Sequence, residues 1–365
     1  MIGIAVTTLL AAAPAYAGED LLAETWAAYR RSFIQADGRV IDRGDADKTT
    51  SEGQAYALVR ALIMEDEETF SHLRTWTTAN LQGGDPTRLP AWSWGKAADG
   101  TWGVTDPMPA SDADEWMAWA LLGAAKQFEN PAYKEEALGI LAHIWDEETM
   151  EIAGQRVLLP GPWAKGTDPV RLNPSYWLPF AWRTFAEADP AHPWESLLDP
   201  TYALFEECRA ASALPSDWCY VRLIDGAVVP APRGHEADDD FGFEAFRIAW
   251  TLAAEVQWHR EVRARRLLRD FGELADLWTE TGRVPAVIAP GGRARVDWTY
   301  QGLYGSMLPA WAIVRKGTAE LLWDGVIAPS RGPHGWGATT DYYGQNWVWL
   351  GYALWTGRVG PQGPP

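Results

Sequence analysis

Carboxyl groups at the starts of two helical patterns are the side chains of this sequence best placed to do chemistry. Glu52 is followed by Gly53, which weakens a helix and is explained if another group must approach closely there. Asp112 precedes an apolar pattern of helical spacing that is rich in small residues and tryptophans. Acids at such positions cap helices and stabilise the helix dipole. They also serve in acid–base chemistry, because burial among aromatic residues raises a carboxyl pKa. From the residues alone, both interpretations stay open.

The overall charge narrows the classes of partner. The chain has 31 basic and 49 acidic residues, a net charge of −18. This balance argues against nucleic acid and anionic membrane surfaces, because phosphate groups need the opposite sign, and it is compatible with a neutral substrate. The 23 tryptophans exceed what a core requires. Aromatic faces that stack on sugar rings are the functional use that we favour for the excess.

Residues 1–17 are predicted to be a cleavable secretory signal, which leaves 18–365 as a single domain. An apolar run precedes the small-x-small site Ala15-Tyr16-Ala17, although no basic residue precedes the run. The alternative is a buried N-terminal helix. Export predicts a periplasmic or secreted protein, and it would place Cys208 and Cys219 in an oxidising compartment. A local disulfide and two free buried thiols are both open, whereas a metal site has no His or Cys companions to support it.

Helical periodicity dominates the rest of the chain. The predicted helices cover residues 21–33, 49–76, 112–128, 131–146, 174–186, 193–211, 243–257, 260–280, 297–322 and 342–354. Residues 83–86 and 95–103 are predicted loops, and short extended pieces are expected at 155–159 and 284–288. No series of strands that would form a sheet, no uniform linker and no internal repeat is apparent. We therefore expect one all-α domain with no membrane span.

Several motifs in order along the chain are similar to those of one enzyme family. The segment from Ala110 to Phe128 fills every defined position of the signature of glycoside hydrolase family 8. The other matching strings are Ser51-Glu-Gly-Gln54, Leu89-Pro-Ala-Trp-Ser-Trp94, Leu172-Asn-Pro-Ser-Tyr-Trp177 and Asp341-Tyr-Tyr-Gly-Gln-Asn346. Within the family, the sequence most resembles the periplasmic endoglucanases that accompany bacterial cellulose synthesis. The resemblance implies an (α/α)6 barrel and inverting hydrolysis of a β-glucan without metal or cofactor.

The resemblance also assigns roles to individual residues. It implies that Glu52 is the general acid and that Asp112 holds the sugar at the cleavage point, whereas we treat Asp114 as helix-stabilising. Relatives carry Tyr-Asp-Ala-x-Arg where this chain has Phe-Glu-Ala-Phe-Arg at 243–247. We predict that Glu244 is the general base, held ionised by Arg247. Its alternatives are an exposed helical pair of these two residues, or a base in the Asp run 238–240 with Asp240 as the fallback. The predicted substrate-binding residues are Trp94, Tyr176, Arg247, Gln54 and Tyr342.

These observations predict an exported endo-β-1,4-glucanase that acts on cellulose or its oligosaccharides. Its resemblance to the cellulose-synthesis endoglucanases also implies an association with a cellulose synthase complex. Chitosanase, xylanase and mixed-linkage glucanase activities, all found in the same family, stay open. An acidic cleft would attract the cationic chitosan in particular. A non-catalytic glucan-binding protein with a weakened base is the alternative from another functional class.

Overall fold

Twelve α-helices form the framework of the residues that the structure describes. The computed structural model describes residues 18–209 and 213–364, so the predicted signal segment 1–17 lies outside them. The helices are α1 (Gly18–Phe33), α2 (Ser51–Ile63), α3 (Glu67–Asn80), α4 (Ser111–Gln127), α5 (Pro131–Glu148), α6 (Pro179–Ala188), α7 (Leu198–Glu207), α8 (Arg247–His259), α9 (Val262–Thr281), α10 (Gln301–Val314), α11 (Thr318–Leu322) and α12 (Tyr342–Trp355). None of these helices has the length and apolar character needed to cross a membrane.

The even-numbered helices form a closed inner ring. Helix α2 packs against α4, α4 against α6, and so on to α12, which contacts α2 again. The odd-numbered helices lie outside this ring, with α3 on α2, α5 on α4, α9 on α8, α11 on α10 and α1 on α12. Helix α7 joins α6 through the short 3-10 turn Trp194–Leu197. This double ring is the (α/α)6 barrel that the sequence predicted.

Burial differs between the two rings as their sequences require. A helix that is apolar on all sides must be enclosed, whereas an amphipathic helix buries one stripe. Every residue of α2 is buried except Glu52. The outer helix α9, in contrast, buries only its apolar stripe. Many tryptophans belong to this core, and nine of them are fully buried: Trp119, Trp177, Trp182, Trp194, Trp250, Trp311, Trp336, Trp347 and Trp349. Much of the tryptophan excess is therefore structural.

Two predicted helices are each interrupted by a residue of positive φ. The predicted helix 49–76 ends at Ile63 because Glu65 has a φ of 54°. Asp66 then caps α3 by accepting the Thr69 N–H at 3.1 Å. The predicted helix 297–322 is likewise divided into α10 and α11 by Gly317, whose φ is 83°. These breaks produce the separate inner and outer helices that the double ring needs.

Short antiparallel strands occupy the connections, where the sequence predicted no sheet. They are β1 (Thr49–Thr50), β2 (Ser93–Lys96), β3 (Trp102–Asp106), β4 (Thr149–Ile152), β5 (Gln155–Leu158), β6 (Val170–Leu172), β7 (Cys219–Val221), β8 (Val228–Val229), β9 (Arg331–Gly332) and β10 (Gly335–Trp336). The predicted loop 95–103 holds only for residues 97–101, because both of its ends lie in the strands of a hairpin of β2 and β3 that pairs with β1. The extended piece at 155–159 is confirmed as β5. The one predicted at 284–288 forms only isolated bridges at Ile288.

The two cysteines are joined. A disulfide links Cys208, at the end of α7, to Cys219 in β7. Of the two states that the sequence left open, the disulfide is the one found. It fixes the start of β7 to the outer ring of helices.

Candidate active site

One buried guanidinium gathers the three predicted acids. Arg247 is the first residue of α8 and is 2% exposed. Its Nη1 lies 3.1 Å from Glu52 Oε2 and 2.9 Å from Asp112 Oδ2. Its Nη2 donates to Glu244 Oε2 and to Ser175 Oγ, the latter at 2.7 Å. A buried arginine needs such partners because an unpaired buried charge is costly. Residues from four separate segments therefore converge on one point.

Glu52 is held at the start of α2 by its neighbours. Thr50 caps the helix by accepting the Gly53 N–H at 3.0 Å. The Tyr342 hydroxyl lies 3.0 Å from Thr50 Oγ1 and donates to Glu52 Oε1 at 3.1 Å. A Cβ on Gly53 would lie 3.2 Å from the Tyr342 ring. Thr50 Oγ1 would lie equally close, so the inference that a group approaches Gly53 closely is confirmed for both side chains.

The environment of Glu52 favours its protonated form. Burial raises its pKa to about 8; Arg247 opposes this shift, and the charges of Asp112 and Glu244 add to it. The side chain is still 23% exposed, so a ligand can reach it. A carboxyl group that keeps its proton at neutral pH and meets solvent has the properties of a general acid.

Asp112 lies in the first turn of α4 and is 4% exposed. Burial raises its pKa to about 6, against the opposing charge of Arg247. Ala110 occupies the N-cap position and makes no side-chain bond there. Asp112 is therefore not the N-cap residue, although its Oδ1 accepts the Ala113 N–H at 2.8 Å. Its other oxygen, Oδ2, accepts from Arg247.

Glu244 lies in a turn that precedes α8, so the predicted helix 243–257 begins later than expected, at Arg247. Asn173 Nδ2 donates to Glu244 Oε2 at 3.1 Å, and Ser175 Oγ does so at 3.4 Å. The side chain of Glu244 is 29% exposed, while that of Arg247 is 3% exposed. The alternative of an exposed helical ion pair is therefore wrong. Glu244 is a fixed carboxylate at the edge of the cluster.

Asp240 and Asp238, the alternative candidates for the general base, are bound by other side chains. Both oxygens of Asp240 accept hydrogen bonds from Arg295, with Nε at 2.9 Å from Oδ2 and Nη2 at 3.0 Å from Oδ1. Asp238 accepts from Arg171 at 2.8 Å and from the Tyr220 hydroxyl at 2.5 Å. Neither acid is bound to Arg247, whose guanidinium group binds the three predicted site acids. Glu244 is thus the base candidate that the geometry favours.

The predicted substrate-binding residues divide into two groups. The Tyr176 ring lies 5.2 Å from the Arg247 guanidinium and borders the acids, and Tyr342 reaches Glu52 directly. Gln54 does not join them, which corrects its assignment. It is fully buried, and its amide accepts the Val40 N–H at 2.6 Å and donates to Thr77 Oγ1 at 2.8 Å. Gln54 therefore has a structural role.

Trp94 lies on β2, opposite Thr49 of β1, and thus on the hairpin next to the start of α2. Its ring stacks on Trp102 with centroids 5.3 Å apart, and the Arg39 guanidinium lies 4.5 Å from it. Trp102 is 47% exposed. Sugar stacking by Trp94 stays a prediction, and Trp102 is the ring of this pair that presents more surface to a ligand.

Four residues of the site were not assigned from the sequence. Tyr56, Asn173 and Ser175 contact the acids or Arg247. The last two lie in the Asn-Pro-Ser-Tyr string, which could have indicated them. Asp217 had no such signal. Its Oδ1 accepts the backbone N–H groups of the turn that carries Glu244, and burial raises its pKa to about 7.

A second group of acids lies beneath Asp112. Asp114, Glu115 and Glu148 are all fully buried. The carboxyl groups of Asp114 and Glu148 lie within hydrogen-bonding reach of each other. Among the described residues, no other donor reaches either of them. Burial, reinforced by neighbouring carboxylates, holds the pKa of both well above the usual range, while Lys165 opposes this for Glu148. Burial thus favours the protonated form of both acids, so Asp114 does more than stabilise a helix end.

Asp114 and Glu148 are replaced together by Asn and Gln in this prediction. As the pH rises, the free energy of unfolding of this double variant is expected to fall less steeply than that of the wild type. The native pKa of each acid is above its unfolded value, so the stability due to the retained protons is complete below about pH 4 and is lost as the pH rises. Each proton that only the native state keeps changes the unfolding free energy by about 1.4 kcal/mol per pH unit. Melting temperatures between about pH 5 and 8 test this.

The matched control is Glu147→Gln, because this neighbouring side chain is 48% exposed and pairs with His143. It should keep the wild-type dependence of melting temperature on pH. An equally steep dependence in the double variant would show that the Asp114–Glu148 pair holds no extra proton.

A double ring of helices with a protonated acid and further carboxyl groups gathered at one end is the arrangement expected of a glycoside hydrolase. Comparison with known proteins then gives the family. The sequence model of glycosyl hydrolases family 8 matches residues 3–283, and the chain belongs to this family.

Individual relatives agree with this assignment. An endoglucanase of Pseudomonas fluorescens (strain SBW25) is 41% identical over 199 residues, which cover 53% of this chain and 50% of that protein. An endoglucanase of Salmonella typhi is 34% identical over 265 residues, covering 71% and 69%. The crystal structure of an endo-1,4-D-glucanase from Vibrio fischeri ES114 superimposes with a TM-score of 0.80 at 27% identity, covering 90% of this chain and 93% of that one. The matching segment thus spans half the length of the Pseudomonas relative.

Proposed function

We propose that this protein is an endo-β-1,4-glucanase that hydrolyses cellulose-type glucans with inversion at the anomeric carbon. The observation that carries the proposal is the arrangement of Glu52, Asp112 and Glu244 around Arg247. In this arrangement Glu52, whose carboxyl group holds a proton at neutral pH, lies near Glu244, whose carboxyl group is bound by the cationic side chain of Arg247. The Pseudomonas and Salmonella relatives are named endoglucanases, which supports a glucan over chitosan or xylan, and the Vibrio structure of an endo-1,4-D-glucanase supports the 1,4 linkage.

The proposed reaction is a single displacement. Glu52 donates its proton to the glycosidic oxygen as the bond to the anomeric carbon breaks. Glu244 takes a proton from the water that attacks this carbon on the opposite face. Water is thereby added across the bond, and the two acids exchange protonation states before solvent resets them. Asp112 accepts a hydrogen bond from a sugar hydroxyl, and this bond strengthens as positive charge develops on the ring.

Reducing-end release from carboxymethylcellulose, chitosan and xylan, together with NMR of the first product, tests the proposal. We expect carboxymethylcellulose to be cleaved fastest, with an early fall in viscosity and the α-anomer formed first. Preferential cleavage of chitosan or xylan would assign another activity of the family. Binding of glucan without hydrolysis would identify a glucan-binding protein.

We also propose that the protein is exported and acts where a bacterial cellulose synthase delivers its glucan. The small-x-small site at 15–17 and the similarity to cellulose-synthesis endoglucanases support this proposal. The N-terminal sequence of the protein recovered from the periplasm should begin at Gly18. A cytoplasmic protein that retains Met1 would contradict export.

A further inference from the structure

One carboxyl oxygen holds the turn that carries Glu244. Asp217 Oδ1 accepts the N–H groups of Gly242 at 2.9 Å, Glu244 at 3.1 Å and Ala245 at 2.8 Å. These N–H groups belong to the turn that precedes α8, whereas the first N–H groups of α8 itself, those of Arg247 and Ile248, bind the carbonyl groups of Glu244 and Ala245. A buried backbone N–H group without an acceptor is costly. Asp217 therefore supplies the acceptor for the N–H groups of the turn.

The Asp217 carboxyl group packs directly against the backbone of the turn at Gly242. A Cβ on Gly242 would lie 2.6 Å from Asp217 Oδ2. The carbonyl groups of the same turn are bound from the barrel side: the Tyr343 hydroxyl donates to the Phe243 carbonyl at 2.7 Å, and Ser306 Oγ donates to that of Phe246 at 2.8 Å. The turn is thus held by Asp217 through its N–H groups and by side chains of α10 and α12 through its carbonyl groups.

Backbone hydrogen bonds hold the segment that carries Asp217 against residues 238–240. Its N–H donates to the Asp240 carbonyl at 2.8 Å, and the Trp218 N–H donates to that of Asp238 at 2.9 Å. The next residue, Cys219, begins β7 and is covalently joined to Cys208. The Asp217 carboxyl group is therefore fixed from outside the turn that it binds.

We propose that Asp217 is a positioning residue for Glu244, acting through the backbone of the turn and not on the substrate. The proposal rests on the assignment of Glu244 as the general base. Without Asp217, three N–H groups lose their acceptor and the turn relaxes. A displacement of about 1 Å in a reacting group lowers the rate by up to about 10²-fold, whereas the sugar contacts of the cleft are unchanged.

Asp217→Ala is expected to lower kcat on a soluble glucan by about 10- to 100-fold, with KM changed less than about twofold. Asp217→Asn retains the oxygen that accepts all three bonds and should restore kcat to within about threefold of wild type. Asp189→Ala is the control. Asp189 is also a buried acceptor, bound by the Ala191 N–H at 3.2 Å and Trp194 Nε1 at 2.9 Å, but it lies at the end of α6. That variant should lower the melting temperature and leave kcat unchanged.

Wild-type kcat in Asp217→Ala, or equal losses of kcat in Asp217→Ala and Asp189→Ala, would overturn the positioning role. If Asp217→Ala does not fold, Asp217→Ser replaces it with the same expectation, because the shorter hydroxyl cannot reach all three N–H groups. A crystal structure of the variant should show the Glu244 carboxyl group displaced, and an unmoved Glu244 would also overturn the proposal. A wild-type protein inactive on every glucan would instead refute the proposed function.

Discussion

Glu52→Gln is expected to lower kcat on unactivated glucans by about 10³-fold, within the range of general-acid effects, and to leave the fold intact. Glutamine has the size of glutamate and can still accept the Tyr342 hydrogen bond, but it has no acidic proton to give the leaving oxygen. The pKa of about 8 for Glu52 also predicts that wild-type kcat/KM falls as the pH rises through this value. The alkaline fall should be absent from the residual activity of the variant.

An activated aryl glycoside provides the control for Glu52, because its leaving group needs little protonation. The loss in Glu52→Gln should be much smaller on this substrate than on carboxymethylcellulose. Circular dichroism and the melting temperature show whether the variant is folded. If a folded variant retained more than about a tenth of wild-type activity on glucan, the assignment of the acid would be wrong.

Glu244→Gln is expected to abolish measurable turnover while oligosaccharide binding persists, a loss of about 10³-fold or more. The amide keeps a hydrogen bond to Asn173 or Arg247 but cannot take a proton from the attacking water. Glu244→Asp should retain measurable activity, since it keeps a carboxyl group and shortens the side chain by only one methylene group. Calorimetry of binding and product analysis separate the two effects.

Asp240→Asn is the matched control for the base, because Asp240 is bound by Arg295 and not by Arg247. Its effect on kcat should be modest, less than about threefold, as for a residue outside the reacting groups. If Glu244→Gln stayed active while an acid of 238–240 proved essential, the base would belong to that loop.

The sequence indicated the acids of the site because each lies in a short string at or near a helix start. Glu52, Asp112 and Glu244 need only their immediate neighbours to be singled out. Gln54 was misassigned by the same means: it follows Glu52 by two residues, yet helical geometry turns it toward the core.

Asp217 escaped notice for a different reason. It is 27 residues from Glu244, and a carboxyl group that binds backbone N–H groups requires no particular side chain in return. The hairpin of β2 and β3 was missed because strands of four and five residues are too short to establish an alternating pattern. The helix class, in contrast, rests on many turns of periodicity and was predicted correctly.

Closure of the inner ring by α12 against α2 sets the moment at which the chain becomes able to act. The bond between Tyr342 and Glu52 joins residues 290 positions apart. Glu52 and Tyr342 therefore meet only when α12 docks on α2. Until then, Glu52 lacks the enclosure that holds its proton. A chain whose ring is still open therefore carries the acid in an ordinary ionised state and cannot yet donate a proton.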